Sequence, residues 1–450
     1  MTSLSAKKKG RLWHQIGAFC LPYLCSCFLQ TLYGMADLFI IGQFEGAGSI
    51  TAVSIGSQVM HMLTVMIVGL AMGTTVHIGR SIGAGRRDLA AKFTGNTITL
   101  FLGGSLVLAA AALGLVGHVV DWMSTPVEAV TGTRDYLTIC YMGIPFITAY
   151  NIISSIFRGM GNSRTPMYFV AIACVANIFL DLLFMGPLHL GPAGAALGTV
   201  MSQAISVVIS LWMVRRHDLG IPLERADLKP RGDILKKLLR VGVPISVQDG
   251  FIQVSFLVIT VIVNARGVVD AAAVGIVEKF ISFVFMVPSA MLATISALGS
   301  IRIGAGRPEQ AVEILYAGLK IVVTYGVALA VLIQFCAYHV VGVFTSEPDV
   351  IAAGGPYLKG YIFDTTFAGI HFSFSGYFTA NGRSEISFLH NLVSIVCARI
   401  PLAYLTSQMF PDTLLPMGLA TASGSLVSVV ICVVAYRVLK PKFLHAGADR

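Results

Sequence analysis

Two acidic residues and an asparagine lie inside long apolar runs of the sequence. Asn177 and Asp181 are four residues apart in the run 168–185, and Asp37 lies in the run 32–42. On a helix, residues four apart share one face. Carboxylate and amide oxygens are hard ligands that suit a proton or Na⁺. Because an acid inside a bilayer usually faces the interior of a helix bundle and marks an ion pathway, this pattern predicts a buried ion site.

The elements that must position these residues are membrane-spanning helices. Of the 450 residues, 56% are hydrophobic and 12% are charged, whereas a soluble domain carries roughly 25% charged residues. A spanning helix needs about 20 mostly apolar residues. Twelve segments qualify: 14–42, 50–79, 90–118, 130–158, 165–186, 191–215, 234–263, 270–300, 310–341, 351–380, 386–409 and 415–437. We therefore predict an all-α polytopic membrane protein with twelve transmembrane helices.

Basic residues cluster in every second loop between these segments. One set of loops carries Arg86, Arg158 and Arg164 among others, whereas the other set is mainly acidic, with Arg266 as the exception. Loops rich in lysine and arginine stay in the cytoplasm, so both termini are expected there. The net charge of +9 then fits contact with anionic membrane lipids and not with nucleic acid.

The two halves of the sequence resemble each other at an offset of about 221 residues. The segment Ser81-Ile-Gly-Ala-Gly85 recurs as Arg302-Ile-Gly-Ala-Gly306, and both follow apolar helices, so tight cytoplasmic turns are expected there. Six spans per half give both halves the same membrane direction, which predicts a pseudo-twofold axis along the membrane normal. The predicted parts are an N-terminal six-helix lobe (1–214), a cytoplasmic linker (215–233), a C-terminal six-helix lobe (234–440) and a cytoplasmic tail (441–450).

Further polar residues lie within the predicted spans. Gln30, Tyr33 and Asp37 form one stripe on the first helix, and Pro22 removes a backbone hydrogen bond there, which predicts a bend. The remaining polar candidates of the first half are Asn151, Thr199 and Gln203. The second half contains Asp249, Glu278, Lys279, Asp364 and Arg399 near or within spans. The sequence leaves open whether Arg399 reaches the cytoplasmic side or pairs with one of these acids.

The sequence contains no motif for enzymatic chemistry or nucleotide binding. Its eight cysteines fall in apolar runs without a C-x-x-C pair, and it has neither an H-E-x-x-H motif nor a phosphate-binding P-loop. We therefore expect a protein that is not an enzyme and needs no cofactor.

Taken together, these residues resemble the multidrug and toxic compound extrusion (MATE) family, and its DinF-like prokaryotic branch more than its NorM-like branch. The resemblance covers the whole chain. It rests on the segments Met35-Ala-Asp37, Arg158-Gly-Met-Gly-Asn-Ser-Arg164 and Asn177-x-x-x-Asp181, on Pro22, and on the stretch 194–199.

The resemblance implies a cation site formed by Asp37, Asn177, Asp181 and Thr199, where Na⁺ could bind. The NorM-like branch has functional acids in its second half, at places where this chain has Ile252 and Ile370 nearby. A second-half ion site is therefore not expected. The resemblance also places the chain in a prokaryotic plasma membrane.

The resulting hypothesis is a secondary active antiporter that exports amphipathic organic cations in exchange for H⁺ or Na⁺. Its two lobes would rock around a central cavity, with Pro22 as a hinge. Gln30, Tyr33, Asn151 and Gln203 would contact the substrate, Tyr33 by cation–π interaction. The protein is expected to be a monomer, and the sequence leaves the coupling ion open.

Two alternatives belong to other functional classes. A flippase for lipid-linked oligosaccharides or lipids, from the same superfamily, should have a strongly basic cavity and usually more spans, whereas the basic residues here lie mainly in loops. A receptor or channel is disfavoured by the twofold repeat.

Overall fold

The computed structural model describes residues 2–216 and 220–445, with side chains at 10–216 and 220–444. Within these ranges the chain is almost entirely helical and has no β-strand. Its α-helices are α1 (Thr2–Phe44), α2 (Ala47–Gly83), α3 (Arg87–Trp122), α4 (Val127–Met142), α5 (Ile144–Gly159), α6 (Arg164–Met185), α7 (Gly191–Arg216), α8 (Gly232–Asn264), α9 (Val268–Val284), α10 (Met286–Gly304), α11 (Pro308–Gly342), α12 (Pro348–Tyr361), α13 (Phe363–Ala380), α14 (Ser384–Ser394), α15 (Ile400–Met409) and α16 (Leu415–His445). A 3-10 helix (Arg225–Leu228) precedes α8, and a π-helical turn (Ile395–Arg399) joins α14 to α15.

Most of the predicted spans are found as long apolar helices. Among the described residues, ten helical segments are long and apolar enough to cross a membrane, and the bent pair α4–α5 adds an eleventh. This pair bends by 51° at Gly143, where the sequence predicted one span over 130–158. The predicted span 351–380 consists of α12 and α13, which break at Ile362. Residues 373–380 of α13 are all buried, so protein surrounds them and polar side chains are tolerated there. The predicted all-α membrane fold is confirmed.

Tight turns end corresponding helices in the two halves. Gly85 and Gly306 follow α2 and α10 with φ of 71° and 69°, and Gly161 and Gly382 follow α5 and α13 with φ of 80° and 72°. In each turn the residue after the glycine donates its backbone N–H to the carbonyl five residues earlier, at 2.9–3.0 Å. Glycine adopts this left-handed conformation at little cost. The turns predicted at 81–85 and 302–306 are therefore confirmed.

Residues 21–242 form one compact unit, called the N-terminal unit below. In this unit α6 packs along α7, and α2 packs against α4 and α5. Its largest core cluster includes Ile41, Leu137 and Ala195, from α1, α4 and α7. Because lipid is as apolar as these side chains, close approach of small residues holds such helices together. A Cβ atom on Gly143, for example, would overlap the side chain of Val200.

Residues up to Cys20 and from Val243 onward form the second compact unit, called the C-terminal unit below. Here α10 packs against α11 and α13, and α16 packs against α12 and α13. The first part of α1 belongs to this unit. Ile16 is buried in a cluster with Met291 and Leu315, and Arg302 donates a hydrogen bond to the Gln15 side chain at 2.7 Å.

The compact units and the predicted lobes differ at two places. The first 20 residues belong with the second half, and the start of α8 packs on α2 of the first half. This second contact is close because a Cβ on Gly73 or Gly242 would overlap the backbone of the facing helix. Within the predicted linker 215–233, residues 217–219 lie outside the described residues. The same holds for residues 446–450 of the predicted tail.

Candidate functional site: a buried ion cluster

The four residues predicted for the ion site meet in the N-terminal unit, where α1, α6 and α7 supply them. Thr199 Oγ1 donates a hydrogen bond to Asp37 Oδ2 at 3.3 Å. The Asp37 carboxylate also lies beside the Asp181 carboxylate and the Asn177 amide. Asn177 and Asp181 are 0% exposed, and Asp37 is 3% exposed. We call these four residues the ion cluster.

The spacing of residues along the helices explains this meeting. Asn177 and Asp181 occupy successive turns of α6 and therefore point to the same side. Helix α7 approaches this side closely because it has glycine at the contact: a Cβ atom on Gly198 would overlap Asp181 Oδ1. Gly194 and Gly198 are spaced as in the small-residue motifs of membrane helix pairs. This spacing is the signal by which the sequence could have assigned Gly198 to the site.

A tyrosine that the sequence analysis did not select lies close to the ion cluster. Tyr136 of α4 is 2% exposed, and it is near enough to Asp37 and Asp181 to interact electrostatically with both. Helix α2 provides room for its ring, because a Cβ on Gly56 would overlap that ring. No spacing rule within α4 predicts this position, since it depends on how α2 and α4 pack.

Several buried polar atoms of the ion cluster have no hydrogen-bond partner among the described residues. They are Asp37 Oδ1, both carboxylate oxygens of Asp181 and both polar atoms of the Asn177 amide. In addition, no ion pair found in the described part of the chain includes Asp37 or Asp181. An unsatisfied buried polar group costs about 1–3 kcal/mol, and a charged group costs more. A shared proton or a Na⁺ ion would satisfy these oxygens, so the residues present fit either ion.

The ion cluster does not fit a transition metal. Residues 10–216 and 220–444 contain no group of three or more histidine, cysteine and acidic side chains placed to hold a metal ion. The cluster offers two carboxylates, one amide and one hydroxyl. Such an oxygen-only set is typical of sites for H⁺, Na⁺ and other hard cations.

The four predicted substrate residues divide into two pairs. Tyr33 and Gln203 lie beside each other near Asp37. Gln30 and Asn151 instead line a small cavity of about 40 Å³ in the same unit, together with Tyr23 and Arg158. The structure therefore brings only the first pair to the ion cluster.

The C-terminal unit contains a buried polar cluster of different composition. Asp364 Oδ2 lies 3.9 Å from Arg399 Nη2, and the same Nη2 donates a hydrogen bond to the Tyr361 hydroxyl at 2.8 Å. The Arg399 guanidinium also lies over the Phe256 ring, 5.0 Å from its centroid. The sequence left the role of Arg399 open, and the structure pairs it with Asp364. Glu278 is close enough to interact electrostatically with Arg399.

These features define a polytopic helical membrane protein with a duplicated fold and a buried ion cluster. The family model MatE matches residues 22–183 and 244–405. The chain therefore belongs to the MatE family, the multidrug and toxic compound extrusion transporters, as the sequence predicted. Because the model matches twice, the predicted internal duplication is confirmed as well.

Individual relatives agree with this assignment. The chain is 27% identical over 399 residues to the probable multidrug resistance protein YpnP of Bacillus subtilis, covering 89% of each chain. It is 23% identical over 431 residues to the probable multidrug resistance protein NorM of Thermotoga maritima, covering 95% of this chain and 91% of that protein. The crystal structure of a MATE protein in the bent conformation superposes with a TM-score of 0.91 at 21% identity, covering 97% of each chain. The protein is thus a multi-pass transporter of the bacterial inner membrane, and its family consists of transporters and not of enzymes.

Proposed function

We propose that the protein is a secondary active antiporter that exports amphipathic organic cations in exchange for H⁺ or Na⁺. The observation that carries this proposal is the ion cluster. Its two carboxylates, Asp37 and Asp181, come from different helices and adjoin in a buried interior, and no basic side chain of the described residues pairs with either. Two such charges repel strongly at low dielectric constant. A proton or another cation must therefore accompany them for most of the transport cycle.

Competition for this negative charge would couple the two fluxes. When a coupling ion neutralises the carboxylates, a cationic substrate loses its electrostatic partner and leaves. When the coupling ion leaves, the carboxylates attract the next substrate. Each ligand then shifts the affinity for the other by the same factor, as thermodynamic linkage requires. No nucleotide-hydrolysing domain is needed for such coupling.

Aromatic side chains near the ion cluster support a cationic organic substrate. Tyr33 and Tyr136 both lie close to Asp37. Aromatic rings attract organic cations through cation–π interaction, by about 0.5–2 kcal/mol. An amphipathic cation could therefore place its charge at the carboxylates and its apolar part against these rings. In this proposal Tyr33 and Gln203 contact the substrate directly.

Pro22 is proposed as the point at which α1 bends during transport. Helix α1 is continuous through Pro22, and the boundary between the two compact units falls just before it, between Cys20 and Leu21. Proline removes one backbone hydrogen bond and so weakens the helix locally. Because Asp37 belongs to the same helix, loading of the ion cluster could be transmitted to this position. We also propose a monomer of the DinF-like branch with cytoplasmic termini.

The proposal is tested by neutralising each carboxylate of the ion cluster. Asp37→Asn and Asp181→Asn retain the size of the side chain but remove its charge. In proteoliposomes, we expect each variant to lower gradient-driven transport of ethidium, an amphipathic cation, by roughly ten-fold or more, since about 1.4 kcal/mol corresponds to ten-fold. Asp121→Asn is the matched control, because Asp121 is exposed at the end of α3. Wild-type transport rates in both cluster variants would contradict the proposal.

The coupling ion is identified by imposing a proton gradient and a Na⁺ gradient separately. Thr199→Val then distinguishes the two further, because it removes one oxygen ligand and retains the shape of the side chain. Na⁺ needs several oxygen ligands, whereas a proton on a carboxylate does not. We expect Thr199→Val to impair Na⁺-driven transport more than proton-driven transport.

A further inference from the structure

We propose that the cavity around Arg158 in the N-terminal unit binds a small monovalent anion. Arg158 is 9% exposed and lines the cavity of about 40 Å³. Its Nε and Nη2 atoms have no hydrogen-bond partner among the described residues. The Tyr23 ring, with its centroid 5.4 Å from the guanidinium, is a weak cation–π partner. The guanidinium therefore presents free N–H donors and a positive charge to the cavity.

No acidic residue among those that the structure describes supplies the missing negative charge. None of the residues that line the cavity is aspartate or glutamate, and none of the ion pairs found in the described ranges includes Arg158. A buried charge without a partner costs several kcal/mol. An anion in the cavity would remove this cost and accept the free N–H groups in charge-assisted hydrogen bonds.

A second buried polar side chain of the cavity supports the same ligand. Ser154 lies one turn before Arg158 on the same face of α5 and also lines the cavity. It is 2% exposed, and its Oγ has no hydrogen-bond partner in the described part of the chain. By contrast, Ser26 Oγ already donates to the Pro22 carbonyl at 2.9 Å, and Asn151 Nδ2 donates to the Ile147 carbonyl at 2.8 Å. Ser154 and Arg158 are thus lining residues whose buried polar atoms lack a hydrogen-bond partner in the described ranges, with Tyr150 close to Ser154.

The carbonyl groups at the end of α5 do not offer an alternative partner for Arg158. The carbonyls of Ile156, Phe157 and Arg158 accept backbone N–H groups from residues 160–162 at 2.9–3.1 Å. They belong to the tight turn that ends the helix. The Arg158 side chain lines the cavity, and its Nε and Nη2 make no hydrogen bond to the helix end.

The size of the cavity limits the ligand to a small anion. A single water molecule needs about 10–15 Å³ of such space, so about 40 Å³ accommodates a halide or a carboxylate group but not a phospholipid headgroup. Gln30 also lines the cavity and is exposed, so the cavity reaches the surface of the N-terminal unit beside it. Chloride and small carboxylates share the required chemistry, which is a single negative charge that accepts several hydrogen bonds.

Binding is measured on the full-length protein in detergent, with gluconate as the background anion. Chloride is titrated, and both thermal unfolding and the ³⁵Cl NMR linewidth are recorded. We expect saturable line broadening and a rise in Tm of about 2–4 °C at saturation. In Arg158→Gln both effects should disappear. Arg164→Gln is the matched control, because Arg164 belongs to the same turn but is exposed, and it should respond as the wild type does.

Further variants keep the test decisive if Arg158→Gln does not fold. Ser154→Ala should weaken chloride binding several-fold and preserve the charge, whereas Asp121→Asn, at an exposed residue, should bind chloride as the wild type does. Reversal of the line broadening by formate would extend the site to carboxylates, and no reversal would restrict it to halides. The absence of saturable chloride binding in the wild type, or equal binding in Arg158→Gln, would overturn the proposal. This experiment requires no transport, so its result is independent of the antiport proposal.

Discussion

The buried polar clusters of the two compact units differ in their balance of charge. In the N-terminal unit, Asp37 and Asp181 adjoin without a basic partner among the described residues. In the C-terminal unit, Asp364 lies 3.9 Å from Arg399, which is itself buried. Under the proposed function the first cluster takes up a cation from outside the protein, whereas the second contains its own cation, Arg399. The two halves of the duplicated fold therefore differ in how the charge of their buried acidic residues is balanced.

The surroundings of Arg399 show that the second cluster depends on specific backbone features. Arg399 ends the π-helical turn between α14 and α15, and such turns often reposition a functional side chain. A Cβ atom on Gly424 of α16 would lie 2.8 Å from the Arg399 Cβ. The arginine therefore fits only because the facing helix has glycine there. These features suggest a structural role for this ion pair, in contrast to the proposed transport role of the ion cluster.

The largest effect on stability is expected from removing the internal cation of the second cluster. Arg399→Met leaves Asp364, which is 0% exposed, without its charge partner. Breaking a buried ion pair in this way costs about 3–5 kcal/mol, so we expect a marked fall in Tm in detergent. The matched variant Asp181→Asn removes a carboxyl group that has no basic partner among the described residues. It should leave Tm unchanged or raise it.

A double variant separates the charge effect from the loss of packing. Asp364→Asn combined with Arg399→Met removes both charges, so most of the lost stability should return. If Arg399→Met and Asp181→Asn changed Tm equally, the two clusters would not differ in the way described. The comparison would also fail if the double variant were less stable than Arg399→Met alone.

The sequence predicted the helical architecture well because the lengths of the apolar segments alone determine most of it. The family resemblance implied one site formed by Asp37, Asn177, Asp181 and Thr199, and the structure brings these four side chains together. The sequence did not predict the break at Gly143 or the burial of Tyr136. Both depend on which helices pack together, and spacing along a single helix does not contain this information. For the same reason, the partner of Arg399 could not be chosen before the fold was known.

An intermediate effect is expected from filling the contact between α6 and α7. In Gly198→Ala the new methyl group would overlap the Asp181 carboxylate and displace it from Asp37. Overpacking of this kind costs about 1–3 kcal/mol. If a similar free energy is lost from the transport step, the rate falls by about five-fold or more. Gly103→Ala in α3 is the control, because a Cβ there meets no atom within 4 Å. Gradient-driven ethidium transport in proteoliposomes measures both, and equal rates would remove Gly198 from the site.

The smallest effect is expected at the turns, where the two halves are alike. Gly85 and Gly306 have φ of 71° and 69°, and a Cβ on either would meet no atom within 4 Å. Alanine at these positions therefore introduces only the strain of the left-handed backbone, about 1 kcal/mol in each case. We expect Gly85→Ala and Gly306→Ala to lower the free energy of unfolding by similar amounts. Thermal unfolding in detergent measures both.

The comparison of Gly85→Ala with Gly306→Ala tests whether the two halves share the backbone requirement of their turns, although their polar clusters differ. Gly103→Ala again serves as the control, because a helical glycine with open space should gain about 0.5–1 kcal/mol when it becomes alanine. Similar losses at Gly85 and Gly306 would show that the repeated turns impose the same backbone requirement in both halves. Clearly unequal losses would mean that the surroundings of each turn matter more than its backbone conformation. The halves would then differ in their turns as well as in their polar clusters.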